Sequence, residues 1–263
     1  TVNGIQLYYE IKGDGPPLLI ISGTGADLRN PRPENPTLNG FRVLRYDQRG
    51  LGQTASPKGT YSMADYADDA ASLLDRLGIN RINVIGISFG GMVAQHLVTR
   101  FPNKVNKLVL ACTSPGGNNF SSFDLRKIVS NSQNQVESWL RLLDSRYNNP
   151  EENLPVLTMV KAALHTNTRL FPHLITDGLT RQLDARSGHD CINDLRDIPH
   201  QTLIVGGRYD DIAPLENLLE MHRLIKNSQL QIFEGGHLFL MQDKQAWPAI
   251  TSFLVSESDT LKA

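Results

Sequence analysis

The sequence predicts an α/β protein in which a mostly parallel sheet is flanked by helices. Runs such as 18–21 and 108–111 are wholly apolar, which is typical of strands that are buried on both faces. Between these runs, apolar residues recur at the spacing of amphipathic helices. A chain of 263 residues is long enough to bury the large core that such a sheet needs.

The first part of the chain alternates predicted strands and helices. Residues 5–11 alternate apolar and polar side chains, which predicts a half-exposed edge strand. Buried strands are predicted at 18–21 and 41–46. Ser62 is placed to cap a helix, and Gly78 is placed to end it. This order of elements indicates a largely parallel sheet that is covered on both faces.

From about residue 115 the strand-like runs disappear and amphipathic helices replace them. We predict four such helices, at 125–129, 136–143, 157–164 and 174–183. The β/α order then resumes, with strands at 202–205 and 230–233 and helices at 215–225 and 247–254. We therefore predict a core of 1–114 and 198–263, with a helical cap of 115–197 inserted at the carboxyl edge of the sheet. Ligands bind at that edge in open α/β sheets.

Residues 86–90 read Gly-Ile-Ser-Phe-Gly, between a β-branched strand and an amphipathic helix. This is the pattern of a nucleophile elbow, a strand-to-helix turn that exposes a serine. The turn is so sharp that the serine backbone is strained, and a Cβ at position 86 or 90 would collide with its neighbours. We predict that Ser88 is a nucleophile whose Oγ projects from the sheet.

A serine hydroxyl needs a base to take its proton and a third group to orient that base. His237 follows the predicted strand at 230–233, and Asp210 and Asp211 follow the strand at 202–205. The chain order serine, aspartate, histidine is that of the α/β-hydrolases. We predict Asp210 as the orienting carboxylate, with Asp211 as the alternative. For the other histidines we expect surface or core positions.

Several segments together resemble the α/β-hydrolase superfamily over essentially the whole chain. They are the elbow at 86–90, the segment Tyr-Asp-Gln-Arg-Gly-Leu-Gly at 46–52, Asp210 four residues before Pro214, and Gly-Gly-His at 235–237. Within the superfamily the chain is similar to small cofactor-free carboxylesterases and 3-oxoadipate enol-lactonases. The resemblance implies an α/β-hydrolase fold and hydrolysis of a carboxylic ester or lactone.

The resemblance also implies an oxyanion hole made by the backbone N–H groups of Thr24 and Phe89. Most relatives carry histidine at the position of Ser22, where it braces the oxyanion loop. A backbone donor does not depend on that side chain, so we expect loop rigidity and substrate range to change rather than the reaction. Asp47 and Arg49 are expected to brace a loop.

These observations predict a serine hydrolase that cleaves a small ester or lactone through an acyl-enzyme. The alternatives are carbon–carbon bond hydrolysis, hydroxynitrile lyase or perhydrolase chemistry on the same triad, and a small-molecule receptor with residual turnover. No cofactor is implied, and no His, Cys or Asp residues show metal-ligand spacing.

The predicted cap leaves two substrate preferences open. Its apolar residues favour small or medium apolar acyl groups: Phe120, Phe123, Trp139, Leu140, Leu143, Met159 and Leu164. Alternatively, one cap arginine turned inward would pair with a substrate carboxylate. The arginines considered are Arg126, Arg141, Arg169, Arg181 and Arg186.

Composition limits the partners that this protein is expected to have. The formal net charge is −1 and both signs are interspersed, so nothing draws the chain to nucleic acid or to an anionic membrane. No apolar run approaches the roughly 20 residues that span a bilayer. The two cysteines, Cys112 and Cys191, fit a reducing compartment, and we expect a cytoplasmic location. The sequence leaves the oligomeric state open.

Overall fold

A computed structural model of the protein describes residues 1–29, 36–129, 135–149, 158 and 176–256. Apart from residue 158, the predicted helix at 157–164 lies outside these residues. So do two predicted cap residues, Met159 and Leu164, together with the arginine at 169.

Within the described residues, one sheet of seven strands runs through the protein. Its strands are β1 (Tyr9–Lys12), β2 (Pro17–Ile21), β3 (Arg42–Tyr46), β4 (Ile82–Ile87), β5 (Val105–Ala111), β6 (Thr202–Gly207) and β7 (Ser228–Phe233). They lie in the order β1-β3-β2-β4-β5-β6-β7. Only β1 is antiparallel, to β3. The predicted fold class is confirmed.

The first strand is shorter than the pattern at 5–11 predicted. Val2 and Ile5 bridge to each other through a turn in which Asn3 and Gly4 have positive φ. Gln6 and Tyr8 then bond to the loop after β3, where the carbonyl of Gln6 accepts the N–H of Ala55 and the N–H of Tyr8 donates to Oγ1 of Thr54. Pairing with β3 therefore begins only at Tyr9.

The helices cover both faces of the sheet. They are α1 (Met63–Arg76), α2 (Phe89–Arg100), α3 (Arg126–Val129), α4 (Gln135–Leu143), α5 (Asp177–Ser187), α6 (Leu215–Leu224), α7 (Phe239–Gln242) and α8 (Ala246–Val255). Helix α1 begins as predicted at Ser62, which forms a reciprocal capping box with Asp65. Gly78 follows the end of α1 with a φ of +67°.

Strand β2 shows why the buried strands lack polar alternation. Leu19 and Ile21 pack on one face of the sheet, in the core formed with α1, α2 and α6. Leu18 and Ile20 point the opposite way, into the core formed with α8. Because both faces are covered, every position of the strand must be apolar.

Helices α3, α4 and α5 lie in the segment predicted to be a cap, and they share a third apolar cluster. Its buried members are Leu125, Ile128, Trp139, Leu140, Leu143, Leu183 and Ile212. Ile212 belongs to the loop after β6, so the cluster joins these helices to the carboxyl edge of the sheet. Helix α5 begins at Asp177 because Thr176 caps it, accepting the N–H of Leu179. The limits 115–197 of a separate cap stay a prediction.

No helix in the described part of the chain combines the length and the apolar character that crossing a membrane requires.

Candidate active site

Ser88 lies between β4 and α2 in a strained backbone conformation. Its φ of +55° and ψ of −117° lie outside the regions that serine normally occupies. A Cβ on Gly86 would lie 2.5 Å from the carbonyl oxygen of Gly90. A Cβ on Gly90 would overlap the carbonyl group of Ile21. Both elbow glycines are therefore required by close backbone packing.

Three of the predicted site residues form one hydrogen-bonded chain. His237 Nδ1 lies 2.7 Å from Asp210 Oδ2, and His237 Nε2 lies 3.0 Å from Ser88 Oγ. A carboxylate only accepts hydrogen bonds, so Nδ1 carries the ring proton when His237 is neutral. Nε2 then presents its lone pair to the hydroxyl of Ser88. This geometry allows the imidazole to take a proton from the serine.

Asp210 is held in place by the backbone of its own loop. Its Oδ1 accepts the N–H groups of Ile212 and Ala213, at 2.8 and 2.9 Å. The neighbouring Asp211 has an exposed side chain. Partial burial and the charge of Asp210 raise the pKa of Asp211 above its usual value. The carboxylate that touches His237 is therefore Asp210, the one chosen from the sequence.

The loop that carries His237 rests on helix α4. The N–H of His237 donates to the carbonyl of Leu143 at 2.6 Å. The N–H of Gly236 donates to Oε1 of Gln242 at 2.7 Å, and Nε2 of Gln242 donates to Asp144 at 2.9 Å. A Cβ on Gly236 would overlap the carbonyl of Leu143, which explains the glycine. The histidine is thus positioned partly by the end of helix α4.

The two predicted oxyanion-hole residues belong to segments that meet at Ser88. Phe89 is the first residue of α2, where an N–H has no acceptor within its own helix. Thr24 follows Gly23, and a Cβ on Gly23 would lie only 3.3 Å from Cβ of Ser88. The loop that carries Thr24 therefore approaches the serine closely. The role of the two N–H groups stays a prediction.

Two buried glutamines anchor this loop after β2. Gln182 Oε1, on α5, accepts the N–H of Gly25 at 2.8 Å. Gln48 Nε2 donates to the carbonyl of Ser22 at 2.7 Å. The anchor at Ser22 uses a backbone atom, which any residue type would supply. Sequence reasoning missed Gln182, because nothing in the pattern links it to a loop 157 residues away.

Asp47 and Arg49 make the bracing contacts expected of them. Asp47 accepts the N–H of Leu28 at 2.6 Å and the N–H of Gln53 at 2.8 Å, so it holds two loops together. Arg49 forms a two-pronged ion pair with Asp69 on α1, at 2.7 and 2.8 Å. Neither side chain has a contact with the Ser88–His237–Asp210 chain among the hydrogen bonds of the described residues.

Two histidines outside the Ser88–His237–Asp210 chain contact each other, His96 on α2 and His189 in the segment after α5. His189 Nε2 lies 3.0 Å from the carbonyl of Ser114 and therefore donates to it, and Nδ1 of His189 accepts from His96 Nε2 at 3.2 Å. Burial lowers the pKa of His189 to about 3, so its ring is neutral. Cys191 completes a group of three potential metal ligands within 4.8 Å of one another. No spacing in the sequence indicates this group.

The arginines considered for a carboxylate clamp are in different environments. Arg126 and Arg181 form ion pairs with aspartates near the protein surface. Arg141 is exposed, and Arg169 lies outside the described residues. Arg186 alone among the described four is buried, with 6% of its surface exposed.

The fold and this site define the class of protein. The family described as the alpha/beta hydrolase fold matches residues 16–244, and the chain belongs to that family.

Several proteins to which the chain is similar are hydrolases by name, and others are named as haloperoxidases. The chain is 30% identical to a poly(3-hydroxyalkanoate) depolymerase of Ectopseudomonas oleovorans, over 92% of this chain and 85% of the relative. It is 29% identical to a 2-hydroxy-6-oxo-2,4-heptadienoate hydrolase of Pseudomonas putida, over 97% and 94%. A solved structure of a hydrolase from Pseudomonas aeruginosa is similar with a TM-score of 0.77, 28% identity and 97% coverage of both chains.

Proposed function

We propose that this protein is a serine hydrolase that cleaves a small carboxylic ester or lactone through an acyl-enzyme. The unbroken hydrogen-bonded chain from Ser88 through His237 to Asp210 is the observation that carries the proposal. The similarity to hydrolases, one of them a depolymerase of a polyester, supports it.

In the first half of the reaction, Ser88 Oγ attacks the substrate carbonyl while His237 Nε2 takes the hydroxyl proton. The new C–O bond forms as the carbonyl π pair moves onto oxygen. Asp210 holds the ring and stabilises the imidazolium. The N–H groups of Thr24 and Phe89 receive the developing oxyanion. When the tetrahedral intermediate collapses, His237 returns its proton to the leaving alcohol oxygen.

In the second half, water attacks the acyl-enzyme by the same route. His237 takes a proton from water, the hydroxyl oxygen bonds to the acyl carbon, and Ser88 leaves with the proton from His237. For a lactone, the alcohol and the acid remain joined, and the product is one hydroxy acid. The burial of Asp210 at 3% exposure and of Ser88 at 8% keeps both groups largely out of bulk water.

One relative supports a second candidate function on the same residues. A 2-hydroxy-6-oxo-2,4-heptadienoate contains no ester, so its hydrolysis breaks a carbon–carbon bond. The alternative is therefore that Ser88 and His237 serve carbon–carbon bond hydrolysis of an oxo-acid.

The nucleophile is tested by labelling and by replacement. A fluorophosphonate should modify Ser88 and no other serine, as read by peptide mapping. Ser88→Ala should lower ester or lactone turnover by about 10³- to 10⁶-fold, because members of a triad act as a unit. The alanine variant should keep the far-ultraviolet circular dichroism spectrum of the parent.

A substrate panel separates the two candidate reactions. Graded esters and lactones are compared with an oxo-dienoate on the parent protein and on Ser88→Ala. Turnover of esters or lactones supports the proposal, whereas turnover of the oxo-dienoate alone supports carbon–carbon bond hydrolysis. Full activity of Ser88→Ala, or labelling at another serine, would refute both.

A further inference from the structure

A cleft of about 290 Å³ opens next to the first turn of α2, and Ser88, His237 and Asp210 are not among the residues that line it. Its walls come from the segment after β5, from the end of α5 and from the first turn of α2, and they include Met92, Ser114, Leu183 and Arg186. Met92 is one helical turn beyond Ser88, and its N–H lies 3.3 Å from the carbonyl of Ser88. A water molecule occupies about 30 Å³ of liquid, so this cleft has room for several non-hydrogen atoms of a ligand.

Arg186 lines this cleft and is a buried cation with unused hydrogen-bond donors. Its Nη1 donates to the carbonyl of Phe123 at 2.7 Å. Its Nε and Nη2 are buried and have no hydrogen-bond partner among the described residues. Ser114, which is fully buried, likewise has an Oγ with no partner there. Buried donors without acceptors are costly, more so on a charged group, so a ligand that supplies acceptors would be favoured.

The guanidinium keeps its charge despite its burial. Burial lowers the pKa of Arg186 to about 10, and the nearby charges of Asp124 and Asp210 oppose this effect. At pH 7 the side chain is therefore still a cation. Both carboxylates already have partners, since Asp124 pairs with Arg126 and Asp210 with His237. Within the described part of the chain, no carboxylate forms a salt bridge with Arg186.

We propose that this cleft binds a carboxylate of the substrate, with Arg186 as the residue that selects it. Nε and Nη2 lie on one edge of the planar guanidinium, and two parallel N–H groups match the two oxygens of a carboxylate. The hydroxyl of Ser114 supplies a further donor. This inference rests on the proposed function and narrows it to esters or lactones that carry a free carboxylate, such as half-esters of dicarboxylic acids.

The competing explanation is that Arg186 only ties the loop at Phe123 to α5. That role requires Nη1 alone, and it leaves the burial of Nε and Nη2 without acceptors unexplained. A structural tie would affect all substrates equally, whereas a carboxylate subsite changes the selectivity between charged and neutral substrates.

The test compares one substrate pair, a half-ester of glutaric acid and the neutral diester with the same leaving alcohol. The parent protein should prefer the half-ester in kcat/KM, and salt should weaken this preference only slightly, because a buried cation is poorly screened. Arg186→Met should reduce the ratio of the two kcat/KM values by about 100-fold, because charge-assisted bonds to a buried cation are lost. Arg186→Lys keeps a point charge, and its ratio of kcat/KM values should lie between those of the parent and of Arg186→Met. The control is Arg181→Met on the same helix, which should keep the parent ratio.

A binding measurement separates this inference from the chemistry. Glutarate should bind the parent protein in calorimetry and raise its unfolding temperature, and it should do neither with Arg186→Met. This readout does not need Ser88, so loss of turnover in Ser88→Ala with glutarate binding retained would be consistent with both proposals. Equal losses on both esters in Arg186→Met, a parent preference for the diester, or glutarate binding that survives Arg186→Met would overturn the subsite. If the parent turns over neither ester but binds glutarate through Arg186, the reaction proposal fails and the subsite stands.

Discussion

Two adjacent aspartates show how backbone contacts assign a role that residue type cannot. Asp210 and Asp211 share the same strand end and the same chemistry. Only Asp210 turns inward, where two backbone N–H groups and His237 hold its carboxylate. Asp211 stays exposed, and its own N–H donates to Leu142. The two aspartates differ because they occupy successive positions in one loop, and only the first of these positions turns its side chain inward.

The two aspartates can be ranked by nearly isosteric replacements. Asp210→Asn should lower kcat by about 10³- to 10⁴-fold, because an amide donor at this position favours the wrong tautomer of His237. Asp211→Asn is the matched control. It should change kcat by less than about threefold, because Asp211 is exposed and lies outside the hydrogen-bonded chain. Steady-state kinetics on one ester decides the ranking, and the reverse order would show that Asp211 is the functional carboxylate.

At the scale of elements, the turn from β4 to α2 depends on how closely backbones pack. The carbonyl groups of Ile21 and Gly90 leave no space for a Cβ at Gly90 and Gly86, respectively. The N–H of Ser88 donates to the carbonyl of Ala111 at 2.8 Å, which ties the turn to β5. The strained serine backbone is thus held by neighbours on two strands.

Adding a methyl group to the elbow should therefore destabilise the whole protein. Gly90→Ala should reduce the free energy of unfolding by about 2–4 kcal/mol, because the clashing atoms belong to backbone that cannot rotate away. Gly40→Ala is the control, since nothing lies within 4 Å of a Cβ there. That variant should stay within about 0.5 kcal/mol of the parent. Urea unfolding followed by circular dichroism measures both, and equal stabilities would contradict this account of the elbow.

At the scale of the molecule, segments far apart in sequence meet around the site. Helix α4 supports the His237 loop, and α5 supports the loop after β2 through Gln182. The segment after α5 is joined to α2 through the pair of His189 and His96. Helices α4 and α5 therefore help to position the loops of the proposed site.

The buried His189 makes the stability of the molecule depend on pH. Burial lowers its pKa to about 3 in the folded protein, against an ordinary value of 6.5. Below pH 6.5 the unfolded chain binds a proton that the folded protein does not, so stability falls as pH falls toward 3 and is complete above 6.5. Between pH 7 and pH 5 this one group should remove about 2 kcal/mol.

The measurement is urea unfolding of the parent protein and of His189→Gln at pH 7 and pH 5. The variant should lose less stability than the parent between the two values, by about 2 kcal/mol. His222→Gln, at an exposed position, serves as the control. An identical pH dependence in the parent protein and His189→Gln would show that this histidine does not carry the effect.

Much of this protein could be predicted because its signals are local. Apolar runs that must be covered on both faces predicted the parallel sheet, and the spacing of two glycines around Ser88 predicted the elbow. The chain order of Ser88, Asp210 and His237 indicated the three residues that the fold brings within hydrogen-bonding distance. Each of these signals can be read from a few consecutive residues or from the order in which the residues follow predicted strands along the chain.

Only the tertiary structure decided which side chains turn inward. Of the arginines considered, nothing in the sequence separates Arg186 from Arg181, five positions earlier on the same helix, yet one is buried in a cleft and the other forms an ion pair with Asp177. Gln182 and the pair of His96 and His189 also acquire their contacts only on folding. The physical reason is that burial and hydrogen bonding depend on neighbours many residues away, and the pattern along a single chain does not contain those distances.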